Sequence, residues 1–137
     1  MFRLIASIPL FAYLLIAFNV VVFSGNHDDP LATLNTVVYD FDLPSTAHLA
    51  ITVSHAFILA GIVILYFEIF KSTRPSVYAI VDHGLSMLVF VIFLVEFITV
   101  KQVGNSAFLI LTLLTLTDVI AGFTVSISTA RRDISLQ

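Results

Sequence analysis

The sequence predicts an all-α integral membrane protein: a four-transmembrane-helix bundle with a short extracytoplasmic loop, read as partly helical, between helices 1 and 2. Three observations carry that prediction. First, 59% of the 137 residues are hydrophobic and 11% charged, with a mean hydropathy of +1.08, whereas a soluble domain carries about 25% charged residues. A large core does not account for the deficit, because a small domain has too much surface to cover. Second, four apolar runs each approach the roughly 20 residues that cross a hydrocarbon core at 1.5 Å per residue. Third, the cationic side chains are divided unevenly between the connecting segments. The length is that of a single transmembrane domain, residues 1–137.

The first span is read over residues 4–23, closed by Ser24, Gly25 and Asn26. Arg3 before an apolar run also fits a signal peptide with cleavage after Ser24, but this run exceeds the usual signal core of about 7–15 residues, so a retained helix is expected. The second span is read over residues 48–70, after Pro44, Ser45 and Thr46. The third covers residues 77–100 and the fourth residues 106–130. The turns between them, 71–76 and 101–105, are short, which predicts that helices two, three and four are consecutive antiparallel neighbours.

Lysine and arginine set the expected orientation, since they stay on the cytoplasmic side. With the N-terminus inside, Arg3, Lys71, Arg74, Arg131 and Arg132 are internal and only Lys101 is external. Both termini are therefore expected in the cytoplasm, with a bacterial inner membrane as the favoured setting. Tyr66 and Tyr78 fall near the inner interface, where aromatic rings are enriched. The external loop, residues 24–47, holds four aspartates and no basic residue. In it, Asp29-Pro30 reads as an N-cap followed by proline at the first helical position. Leu31, Leu34, Val38 and Phe41 continue at helical spacing, predicting a short surface helix. Val37, Tyr39, Phe41 and Leu43 alternate with Asp40 and Asp42, so an extended stretch is the second reading. His27, Asp28 and Asp29 are too few and too closely spaced to imply a metal centre, and no metal is expected. The acidic loop could instead meet a basic partner.

Ionisable groups inside spans cost several kcal/mol unless paired or hydrated, so each requires an explanation. His48 reads as the outer start of the second helix. His55, seven residues on, would lie about 10 Å deep, and Glu96 about 6 Å deep on the third helix. Neighbouring helices would allow these two to meet. Asp118 is twelve residues from each end of its expected span, near the midplane. Asp82, His83 and Glu68 lie toward the inner side. Glu68 falls about 140° from the His55 stripe at 100° per residue and is read as an interfacial carboxylate near Lys71 and Arg74. The residues singled out for a relay are thus His55, Glu96, Asp118, Asp82 and His83. Gly122 and Ser126, on the small and polar stripe of the fourth helix, together with Ala56 and Ala60 on the second, are read as helix-packing positions, since small residues let helices approach in lipid.

Three functional readings follow. The preferred one is a non-enzymatic accessory or scaffold subunit of a larger membrane assembly, because almost every residue is spent on spanning and packing. Its partners would be the bilayer and other membrane subunits or further copies of itself. The second is a proton or ion pathway through the intramembrane His, Glu and Asp residues. The third is a haem- or quinone-associated subunit, at the level of architecture alone. His48 and His55 are about 10 Å apart along one helix, and His55 and His83 belong to opposite leaflets, so haem b would need His55 from two copies. No cofactor is expected. There is no cysteine, which removes disulfides and thiolate chemistry. With Lys and Arg totalling 6, nucleic-acid binding is excluded. No hydrolase triad, metalloprotease motif or phosphate cradle is present.

Overall fold

The computed structural model describes residues 8–25, 29–74 and 79–136. Along the chain run α1 (Leu10–Ser24), α2 (Pro30–Leu34), β1 (Val37–Asp42), β2 (His48–Thr52), α3 (Val53–Ser72), α4 (Ala79–Thr99), a 3₁₀ turn (Lys101–Val103) and α5 (Ser106–Ser135). The expected beginnings of the first and third spans, together with Arg3, His27, Asp28 and Tyr78, lie outside the described residues.

Three helices are long and apolar enough to cross a membrane: α3, α4 and α5, of 20, 21 and 30 residues. At 1.5 Å per residue they measure about 30, 31 and 45 Å, against a hydrocarbon core of about 30 Å. Their large apolar side chains point outward as freely as inward. Ile62, Phe67, Leu88, Val95, Ile98 and Ile120 are all exposed, a surface that water does not tolerate on this scale. The chain is mostly helical and suited to a membrane. The apolar α1 has 15 residues, about 22 Å, and alone falls short of that thickness.

The segment between α1 and α3 departs from the preferred helical reading. Asp29 does cap α2, its Oδ1 accepting the Leu31 and Ala32 amides, each at 3.1 Å. The helix stops after Leu34, ahead of the β-branched run Thr36-Val37-Val38, which favours extended backbone. Buried Leu34 anchors it to the bundle. β1 then pairs antiparallel with β2, matching Tyr39 with Ile51, Asp40 with Ala50, Phe41 with Leu49 and Asp42 with His48. Leu43 and Thr46 close the turn, with Thr46 in the left-handed region at φ 65°.

This hairpin corrects the start of the second span. Residues 48–52 are strand, so His48 is a hairpin residue and the helix begins at Val53. Thr52 is its N-cap. The Thr52 hydroxyl accepts the His55 amide at 3.4 Å, while the His55 ring accepts the Thr52 amide at 3.3 Å, a reciprocal capping box. On α5, Asn105 does the same work, its Oδ1 accepting the Phe108 amide at 3.0 Å.

The order of helices is the second correction. α5 packs along both α3 and α4, whereas α3 and α4 share little direct contact. Sequence neighbours joined by a short turn are here separated by a third helix. α1 runs antiparallel to α3, bringing Phe11, Leu14, Phe18 and Val22 into a core with Phe93 of α4 and Phe108 and Leu111 of α5. Gly61 of α3 makes the approach close: a Cβ there would come 2.8 Å from Leu111 Cδ2 and 3.0 Å from Leu114 Cδ1. The close-approach residue is therefore Gly61. Ala56 is exposed, and Ala60 borders the core without being buried in it.

Gly61→Leu should overpack the α3–α5 seam and cost about 1–3 kcal/mol. Ala56→Leu, on the exposed face, should cost little. Reversible unfolding in mixed micelles compares the two, and equal stabilities would contradict the packing described.

Candidate functional site

The polar side chains of the helices fall into two groups, one near the hairpin and one near Lys71. At the hairpin end, Asn19 of α1 donates through Nδ2 to Glu96 Oε2 of α4 at 3.0 Å and to its own Leu15 carbonyl at 3.1 Å. Asn19 Oδ1 is buried without a hydrogen-bond partner among the described residues. His55 takes no part. It stands in the first turn of α3, exposed, with its ring turned back onto the Thr52 amide. The depth of about 10 Å expected for it assumed a helix starting at His48, and the His55–Glu96 contact assumed that α3 and α4 touch. Neither assumption holds.

At the Lys71 end the grouping is denser. Glu68 is 5% exposed. Its Oε1 accepts the Leu10 amide at 2.5 Å, and its Oε2 lies 3.7 Å from Lys71 Nζ. The reason is local to α1. Pro9 occupies the N-cap and supplies no side-chain acceptor, yet the first amides of any helix lack intrahelical partners. A carboxylate from α3 serves instead, and the positive end of the α1 dipole favours its charge.

Asp118 of α5, 6% exposed, faces the same region. The Ser86 hydroxyl of α4 approaches it, and Glu68 and Lys71 lie within electrostatic range. Asp118 therefore belongs with Glu68 and Lys71 to the group at this end of α3. Counting from the ends of an assumed span 106–130 puts it at the midplane. The packing moves it toward the Lys71 end, because α5 overshoots its neighbours there, running on to Ser135.

His83 of α4 completes the group. A hydrogen bond of 2.6 Å links its Nε2 to Ser126 Oγ of α5, and its ring stacks on Phe123 with centroids 4.8 Å apart. Gly122 leaves room for the imidazole: a Cβ at that position would stand 3.0 Å from the ring. Gly122 and Ser126 thus form the seat of His83. Neighbouring Asp82 has a buried Oδ1 without a partner among the described residues.

An apolar block separates the two groups. Phe18 and Phe108 lie 5.1 Å apart, Phe93 and Phe108 5.2 Å, and Phe18 and Phe57 5.0 Å. Seven residues, about 10 Å of helix, separate Ser86 from Phe93. Across that interval the buried hydroxyls of α5 turn onto their own helix, Thr112 to the Phe108 carbonyl at 2.8 Å and Thr115 to the Thr112 carbonyl at 2.7 Å. Among the described residues no three of His, Asp and Glu converge as metal ligands would.

The relay residues singled out in the sequence are thus distributed unequally. Asp82, His83 and Asp118 share the Lys71 end, Glu96 belongs to the other group, and His55 to neither. Glu68, read as an interfacial carboxylate near Lys71, does lie beside that lysine, and the partner not foreseen from the sequence is the Leu10 amide. The signal that could have placed it is Ile8-Pro9: an apolar helix start with no Ser, Thr, Asp or Asn to cap it must find its acceptor elsewhere. Comparison of the chain with protein-family models, curated proteins and solved structures finds no match in any of the three.

Two outcomes are expected. Glu68→Ala should leave the Leu10 amide without its acceptor and weaken the start of α1 by about 0.5–2 kcal/mol, as loss of a cap does. Glu68→Gln retains a carbonyl acceptor and should lose less. Amide exchange at Leu10 and Phe11 in detergent micelles reads the difference, and unchanged exchange in Glu68→Ala would refute the cap. A double-mutant cycle on His83→Ala and Ser126→Ala should return a coupling of about 0.6 kcal/mol, the average for interhelical hydrogen bonds in a membrane protein, and no more than about 1.7 kcal/mol. Strict additivity would mean that the two side chains do not interact.

Proposed function

We propose that this chain is a small accessory or scaffold subunit of a larger membrane assembly, folded as a four-span bundle in which α1 is the fourth crossing. The apolar sequence of α1 and its antiparallel docking beside α3 support that count. The split of five cationic residues against one supports an orientation with both termini in the cytoplasm and the hairpin outside, by the positive-inside rule. A bacterial inner membrane is the proposed location.

One observation favours a scaffold over a conduit: the interhelical polar contacts are local and fall in two sets with an aromatic block between them. Asn19–Glu96 joins α1 to α4, Glu68 joins α3 to the start of α1, and His83–Ser126 joins α4 to α5. Interhelical hydrogen bonds of this kind hold helices together in lipid, where no hydrophobic force does so. A proton relay needs a continuous file of donors and acceptors, and the Phe18–Phe93–Phe108 cluster offers none. The outward apolar faces of α3 and α4 remain free to meet the helices of another subunit.

The tagged chain, extracted from its native membrane in mild detergent, should migrate within a stable larger complex on native gels, with reproducible partner subunits by mass spectrometry. Reconstituted alone in liposomes, it should give no proton flux, and Asp118→Asn should behave as the unaltered chain. A flux that the pure chain supports and Asp118→Asn abolishes would replace the scaffold reading with an ion pathway.

A further inference from the structure

We infer that the β1–β2 hairpin is a membrane-surface element, lying with its Tyr39–Phe41–Leu49–Ile51 face on the lipid headgroup layer. Successive strand residues point to opposite faces, and the register divides this hairpin cleanly. The pairs Tyr39–Ile51 and Phe41–Leu49 share one face, and the pairs Asp40–Ala50 and Asp42–His48 share the other. The Tyr39 and Phe41 rings touch along the first face at 5.4 Å, and Asp42 and His48 form an ion pair on the second. Tyr39, Phe41 and Leu49 are nevertheless exposed. Within the described chain the hairpin has only its own strands and the root of α3 as substantial neighbours.

Three arguments select lipid as the occupant. The first is position. β2 ends on Thr52, the N-cap of a spanning helix, and the Val53 amide bonds the Thr36 carbonyl at 3.0 Å, tying both strand roots to that helix mouth. At about 3.3 Å per residue the strands extend less than about 20 Å from this point, so the hairpin is tethered at the boundary between headgroups and water. The second is charge. The carboxylates of Asp40 and Asp42 are repelled by anionic headgroups, which turns their face toward water and the aromatic face toward lipid. The third is stability. A lone two-stranded hairpin is marginal in water, and aromatic rings partition to the interface. Covering the apolar face is what such a hairpin requires, and the nearest apolar surface is the one its own helix enters.

The chain contains no tryptophan, so a single introduced indole reports without background. The test compares Phe41→Trp with Ala50→Trp, on opposite faces, in nanodiscs of phosphatidylcholine and phosphatidylglycerol that each hold one protein molecule. Leu49→Trp serves as a second probe of the apolar face should Phe41→Trp fail to fold. The expected result is a blue-shifted emission for Phe41→Trp, quenching by lipids brominated at the shallow end of the acyl chains, and a several-fold lower acrylamide quenching constant than for Ala50→Trp. Equal acrylamide quenching of both faces would overturn the inference. Protection that is absent in single-protein discs and regained in crowded vesicles would overturn it in favour of a second copy. Protection found only in native membranes would overturn it in favour of a partner protein.

Discussion

Backbone groups inside hydrocarbon have no water to turn to, and this constraint organises the bundle. A regular helix meets it along its length and fails at its ends. α3 and α5 solve the problem with their own N-caps, Thr52 and Asn105. α1 starts after a proline and has no such residue, so a carboxylate from α3 serves as its acceptor. That contact fits the burial of Glu68 and the antiparallel docking of α1 beside α3, and a second carboxylate, Asp118, lies in the same neighbourhood as Glu68 and Lys71.

The same economy governs the interior. Lipid offers apolar side chains as good an environment as the core does, so helices are held by close approach and by hydrogen bonds rather than by the hydrophobic effect. Gly61 and Gly122 mark where side chains of a neighbouring helix occupy the room that a Cβ would take. Between the polar contacts, the interlocked rings of Phe18, Phe93 and Phe108 fill the space without a polar atom. The polar stripe of α5 is half illusory: Thr112 and Thr115 are buried, but their hydroxyls bond carbonyls of their own helix.

What was legible in the sequence is what hydrocarbon imposes on composition. Apolar runs of membrane length mark α3, α4 and α5, and Asp29-Pro30 marks a helix start. What was illegible depends on pairing between distant segments. Residues 48–52 read as helix because their partner, 37–42, was itself ambiguous: Val38 and Phe41 fit a helical stripe, while Val37, Tyr39 and Phe41 fit a strand. One misassigned segment then carried His48 and His55 to the wrong depth. Chain order implied that α3 and α4 touch, and nothing local to either helix reveals that α5 comes between them. Asp82 and His83 were placed together because both lie toward the same end, a property that rise per residue does convey, whereas the same count put Asp118 at the midplane. The place of Glu68 beside Lys71 was legible, but its bond to the Leu10 amide was not, because no side-chain pattern advertises a main-chain partner.

The central place of α5 bears on biogenesis. Chains are made from the N-terminus and begin to fold during synthesis, so the helix that α3 and α4 both grip leaves the ribosome after them. Until it arrives, His83 has no Ser126 and Gly61 lacks Leu111 and Leu114, and α4 has little to hold it to α3. A translation product cut short before residue 106 would display those unsatisfied groups permanently. Quality-control proteases that sense polar groups stranded in lipid would therefore read the presence of α5 through the pairing of His83 with Ser126.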